Sequence, residues 1–157
     1  MSPYALRLLA VCLAISAAGC AAKATGSEGA PSAPSPKCTA PTDPSPALGN
    51  RFNVRAGETA ALAGDGLSLT FARLLTDSRC PTGVVCIWEG DAGIVIKAVH
   101  AAGAPADLEL HTSSRFASKG SYRGHTVELL SVAPHPVAGQ PVAFKDYCAE
   151  IRVTRGE

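Results

Sequence analysis

The residues best suited to chemistry crowd into one stretch, Asp77-Ser78-Arg79-Cys80-Pro81-Thr82-Gly83-Val84-Val85-Cys86-Ile87-Trp88-Glu89-Gly90. It holds an acid near a base, two thiols and the chain's only tryptophan. Two uses are open to it. As a frame, Cys80 and Cys86 close the loop, Asp77 pairs with Arg79 or caps the turn, and Trp88 packs on the core. As a presented surface, Asp77, Arg79, Trp88 and Glu89 form a recognition loop. A disulfide lowers the entropy lost on binding, and Trp and Arg are common interface anchors. Catalytic signatures are missing: there is no G-x-S-x-G, H-E-x-x-H, phosphate-binding loop or dinucleotide fingerprint. Ser78 and Ser131 have no local base. Asp65 with Asp77, or Glu89 with Asp91, read as exposed turn acids rather than a catalytic pair. His100, His111, His125 and His135 are scattered singly and read as solvent-facing strand or loop residues. The spacing of Cys80 and Cys86 is wider than the C-x2–4-C of zinc sites. The expectation is no catalytic residue, no metal and no cofactor. A metal-handling protein using histidines, and more remotely a hydrolase with an unrecognised site, stand as alternatives.

The elements that must position this stretch read as β-strands. Gly64-Asp65-Gly66 separates the apolar-rich runs 57–62 and 67–75, a hairpin signal. Leu67, Leu69 and Phe71 alternate with Ser68, Thr70 and Ala72, which gives one apolar face. Residues 92–101 form a β-branched strand that Gly103-Ala104-Pro105 turns back into 107–112. Residues 113–120 are polar and read as a loop. Two more strands fall at 126–132 and 147–154, with Pro134, Pro136 and Pro141 in the loop between them. No clean 3.6-residue period of ten residues or more occurs after position 22. Six or seven short strands with frequent turns predict an all-β fold, a single antiparallel β-sandwich of immunoglobulin-like architecture over 48–157. The Cys…Trp…Cys spacing of true immunoglobulin domains is absent, so that likeness is architectural.

Residues 1–20 run from Arg7, their only charge, through a short apolar segment to Ala17-Ala18-Gly19-Cys20. This is the order of a secretory signal. The small-small-Gly-Cys ending resembles the lipobox of bacterial lipoproteins, with Ala17 where leucine is commonest. The resemblance implies removal of residues 1–19 and acylation of Cys20, and two or more acyl chains anchor a protein stably. It places the chain in the cell envelope, lipid-anchored, and the absence of aspartate at position 21 leans toward the outer membrane. Residues 20–47, rich in Ala, Ser, Gly, Thr and Pro, read as a disordered tether that buries too little apolar surface to order itself.

Loss of the signal removes Cys12, and lipid takes Cys20. Cys38, Cys80, Cys86 and Cys148 remain, an even number in an exported chain, which implies two disulfides. Three pairings are possible. The expected one is Cys80 with Cys86 and Cys38 with Cys148, the latter on the outward face of the last strand. Removal of Arg7 leaves 13 basic and 13 acidic side chains, a balance unsuited to nucleic acid. The stretch 77–90 resembles the D-S-R-C-P-x-G-V-x-C-x-W-x-G motif of small bacterial lipoproteins whose activity is uncharacterised. Tyr122, the run 126–132 with Pro134 and Pro136, and Tyr147–Val153 answer to that group's later elements. Glu89 stands where alanine is common. The resemblance covers about residues 52–154 and implies fold, not chemistry. The functional expectation is a lipid-anchored, non-catalytic binding or accessory module that meets the membrane through Cys20 and has an envelope protein or glycan as partner.

Overall fold

Alternation of apolar and polar residues sets the strands and their inner faces. The computed structural model describes residues 37–156; the signal segment, Cys20 and residues 20–36 of the expected tether lie outside the described residues. Eight strands follow one another: β1 (Arg51–Arg55), β2 (Thr59–Ala61), β3 (Leu67–Asp77), β4 (Ala92–His100), β5 (Ala106–His111), β6 (Lys119–Tyr122), β7 (His125–Ala133) and β8 (Cys148–Arg155). They form two antiparallel four-stranded sheets, ordered β1-β8-β7-β6 and β2-β3-β4-β5. The sandwich is therefore as expected. Its connections are successive meanders, not the Greek key of immunoglobulin domains.

The two inner faces meet over Leu67, Leu69, Phe71, Ile94, Ile96, Leu110, Val127, Ile151 and Val153, all buried. Burying each such side chain contributes roughly 1.5–3 kcal/mol. Along β3 the alternation is regular to Phe71, then register shifts occur at Phe71/Arg73 and Leu74/Thr76. Bulges of this kind bend a strand and re-aim the residues beyond them. Here they lie just before Asp77, where the distinctive loop leaves the sheet.

One side of the sandwich, between β1 and β2, is closed by the segment before them. Thr42 Oγ1 accepts the Arg55 amide at 2.8 Å. The Asp43 amide donates to Asn53 O at 3.0 Å, and the Ala63 amide donates to Pro46 O at 3.0 Å. Proline lacks an N–H, so Pro44 and Pro46 serve only as acceptors, for the amides of Ala61 and Ala63, while Asp43 donates. Cys38 is joined to Cys148, and its amide donates to Asp146 O at 2.7 Å. The folded body thus begins at least as early as Lys37, about ten residues before the expected boundary at 48. Cys148 is not left on an open outer face; Cys38 covers it, and it is 2% exposed.

β6 begins inside the segment read as a loop, 113–120, and runs two residues past it. It is a short edge strand, K-G-S-Y, in which only Tyr122 is buried. Its hairpin to β7 turns through Arg123 (φ 48°) and Gly124 (φ 75°), and positive φ at both central residues matches the twist of a two-residue hairpin.

Candidate functional site

The register places Asp77, Ala92, His111, Ala133 and Cys148 at one end of the sandwich. The loops 78–91, 112–118 and 134–147 leave from that end, and the lath begins there at Cys38. The distinctive stretch is the first of these loops.

Most of its residues build a frame. The Arg79 guanidinium donates to Asp77 through Nε (2.8 Å) and Nη2 (2.6 Å). It also donates to the carbonyls of Val132 and Pro134, the latter at 2.8 Å. Tyr147 Oη donates to Asp77 Oδ2 at 2.9 Å. This pair fastens the end of β3 to the opposite sheet, and both side chains are nearly buried. Burial pushes the Asp77 carboxyl up, but Arg79 and Tyr147 outweigh it and hold it below the usual carboxylate range. Burial, with Asp77 adding to it, pushes the Tyr147 hydroxyl up to about 12. Asp77 and Arg79 are thus turned inward. They belong to the frame and drop out of the expected recognition surface.

The rest of the loop is braced likewise. The Ser78 amide donates to Asp91 O at 2.7 Å, and the Cys80 amide to Glu89 O at 3.1 Å. His135 donates from Nε2 to Cys80 O at 2.8 Å, and the Thr82 amide donates to Pro136 O at 2.9 Å. Cys80 and Cys86 form the second disulfide. At Gly90 (φ +74°) a Cβ would fall 1.9 Å from Ser78 O, so only glycine lets the two arms of the loop approach. Replacing Gly90 with alanine is expected to cost roughly 1–3 kcal/mol, the range for overpacking. Loss of hydrogen-exchange protection at Ser78 and Cys80 would show it; unchanged protection would contradict it.

What the frame presents is apolar. Val85 is fully exposed, Ile87 is 92% exposed and Trp88 65%. Trp88 therefore does not pack on the core. The guanidinium of Arg115 lies over its ring, 4.7 Å from the centroid. Beside it opens a cavity of about 420 Å³ lined by Ile87, Trp88, Glu89, Ser113, Arg115 and Phe116 among others. Glu89 accepts from Ser113 Oγ at 3.1 Å. Of the four residues expected in the recognition loop, Trp88 and Glu89 are at this surface. Phe116 and Arg115 were missed; an aromatic in an otherwise polar loop was the available signal.

The cavity wall rests on an acid–imidazole pair. His111 Nδ1 donates to Asp91 Oδ2 at 2.6 Å, and Nε2 faces Glu109 Oε1 at 3.1 Å. Asp91 Oδ1 also accepts the amides of Thr112 and Ser113. Gly93 leaves room for the imidazole: a Cβ there would come 2.8 Å from its Cε1. Asp91 is thus a buried loop anchor and not an exposed turn acid. Burial lowers the His111 pKa, but Asp91 and then Glu109 outweigh it, so the net shift is upward from 6.5. Burial raises the Asp91 pKa, but His111 and the Ser113 amide outweigh it, so the net shift is downward from 3.8. Stabilisation by the imidazolium is complete below pH 6.5 and is lost as pH rises through its raised folded value. Stabilisation by the carboxylate is present above pH 3.8 and is lost as pH falls through its lowered value. The wall is therefore expected to be firmest between about pH 4 and 6.5. Amide exchange at Thr112 and Ser113, corrected for intrinsic rates, should accelerate above neutrality; protection equal at pH 5 and 8 would contradict this.

Both His111 nitrogens are bonded to carboxylates, and Ser113 Oγ donates to Glu89. Among the described residues no three His, Cys, Asp or Glu side chains gather as metal ligands. At the far end, His125 is buried, contrary to the solvent-facing reading. It lies against Asp65, whose side chain is also buried and is capped by Arg155 at 2.8 Å. That cluster ties the β2–β3 turn to the other sheet. No family model, curated protein or solved structure matches the chain.

Proposed function

We propose that the chain is a non-catalytic binding module, lipid-anchored in the cell envelope through Cys20, which engages its target with the Cys80–Cys86 loop and the cavity beside it. One observation carries this reading: a loop held by a disulfide, a buried ion pair and several cross-loop hydrogen bonds spends that rigidity on presenting Val85, Ile87 and Trp88 to solvent. Exposed apolar clusters mark interaction sites. A preorganised loop loses little conformational entropy on binding.

The test is a photo-crosslinking amino acid placed at Val85 and, separately, at Val99, an exposed apolar position toward the opposite end. Irradiation of intact cells should give a protein, glycan or lipid adduct from position 85, read by mass spectrometry, and none from 99. No adduct from 85, or equal adducts from both, would overturn the reading.

A further inference from the structure

Across the described residues, the exposed large hydrophobics are unevenly placed. All except Val99 lie on segments at one end, the end that carries the Cys80–Cys86 loop. The described chain also begins at that end, with Cys38 bonded to Cys148 and Asp146. Position 20 is only 17 residues before Lys37. A chain of that length reaches at most about 60 Å even fully extended. If Cys20 carries acyl chains, this apolar end is the one leashed to the bilayer.

The chemistry of the tip suits that setting. Residues 80–88, C-P-T-G-V-V-C-I-W, contain no charge. The fully exposed Val85 and Ile87 are aliphatic, not hydrogen-bonding. Trp88 flanks them, and tryptophan favours the membrane–water interface, where its ring is half apolar and half wet. Arg115 stacks on it, and Lys37 and Lys145 are exposed at the same end, as is Glu89 beside the ring, so charges of both signs border the apolar tip at the level of lipid headgroups. Phe116 adds a second aromatic at the edge.

We infer that the ligand of this loop is the surface of the anchoring bilayer: Val85, Ile87 and Trp88 dip into the headgroup–acyl boundary and fix the domain's orientation against the membrane. The inference rests on the anchored-module reading above and names its target. Insertion is shallow, on the scale of about 5–10 Å for interfacial elements.

The experiment uses the mature chain from position 20 with Cys20→Ser, so that no lipid contributes, and vesicles of phosphatidylethanolamine and phosphatidylglycerol at 3:1. Trp88 is the only tryptophan, so its emission reports the loop alone. The result expected is co-sedimentation with vesicles, a blue shift of emission and protection from acrylamide. Val85→Asp and Ile87→Asp should each weaken partitioning roughly ten-fold or more, because a buried aliphatic becomes a charge. Their far-ultraviolet circular dichroism should match the parent. Absence of a blue shift, or undiminished binding by both variants, would overturn the inference. So would self-association without vesicles that V85D abolishes. A protein or glycan adduct from position 85 without vesicle binding defeats the bilayer as target and leaves the binding module standing. Failure of both experiments defeats both.

Discussion

Replacing Cys38 and Cys148 together with alanine is expected to lower the melting temperature by roughly 15–20 °C, at about 4 °C per kcal/mol for a domain of this size. The bridge spans a sequence separation of 110, and the chain-entropy model assigns such a loop roughly 4–5 kcal/mol. The loss has a second origin. Cys38 is the fixed end of the lath that closes the gap between β1 and β2, and release of that end exposes two sheet edges. Hydrogen exchange should therefore rise first at Arg55 and Ala63, whose amides bond to the lath. The corresponding Cys80→Ser/Cys86→Ser variant opens a far shorter loop and should lose only about 2 kcal/mol. Calorimetry on the two variants decides the matter. Equal losses would contradict the assignment of the long bridge as the main staple.

The second large effect belongs to Arg79. Arg79→Ala leaves the Asp77 carboxylate nearly buried without its partner, along with the carbonyls of Val132 and Pro134. Breaking one side of a buried pair costs roughly 3–5 kcal/mol. Arg79→Lys should recover only part of this, since an ammonium cannot make the forked contact to Asp77 and also reach both carbonyls. Removing both charges, Asp77→Ala with Arg79→Ala, should cost clearly less than the sum of the single changes. Additive losses in that cycle, measured by urea unfolding, would contradict a coupled clamp. The pH dependence has a definite sign. Asp77 titrates below its ordinary value in the folded chain, so its contribution is present above about pH 3.8 and is lost as pH falls through the lowered value.

Much of the sandwich was legible because burial is periodic. Leu67, Leu69 and Phe71 announce β3, and the apolar run from Ala92 announces β4. β6 was not legible: K-G-S-Y buries one side chain, and its turn is Arg-Gly rather than the Asn-Gly that usually marks a hairpin. The stretch 37–47 carries no periodicity, because its order comes from a disulfide and from hydrogen bonds to residues far along the chain. The pairing of His125 with Asp65 joins residues distant in sequence, and nothing local signals it. The candidate site was half legible. The motif located the loop, but spacing cannot say which side chains turn inward. Asp77 and Arg79 do, and Trp88 does not. Arg115 and Phe116 arrive from another loop that only the fold brings near.

Labour in this loop is divided: an ion pair and a disulfide hold it rigid, and aliphatic and aromatic groups face outward, where the proposed target would cover them. Hydroxyl-radical footprinting of Trp88 can compare native envelopes with protein released by detergent and purified. Oxidation of Trp88 should be strongly suppressed in the envelope and restored on release, while that of Val99, exposed toward the far end, should be the same in both. Equal oxidation of Trp88 in the two samples would contradict a covered loop.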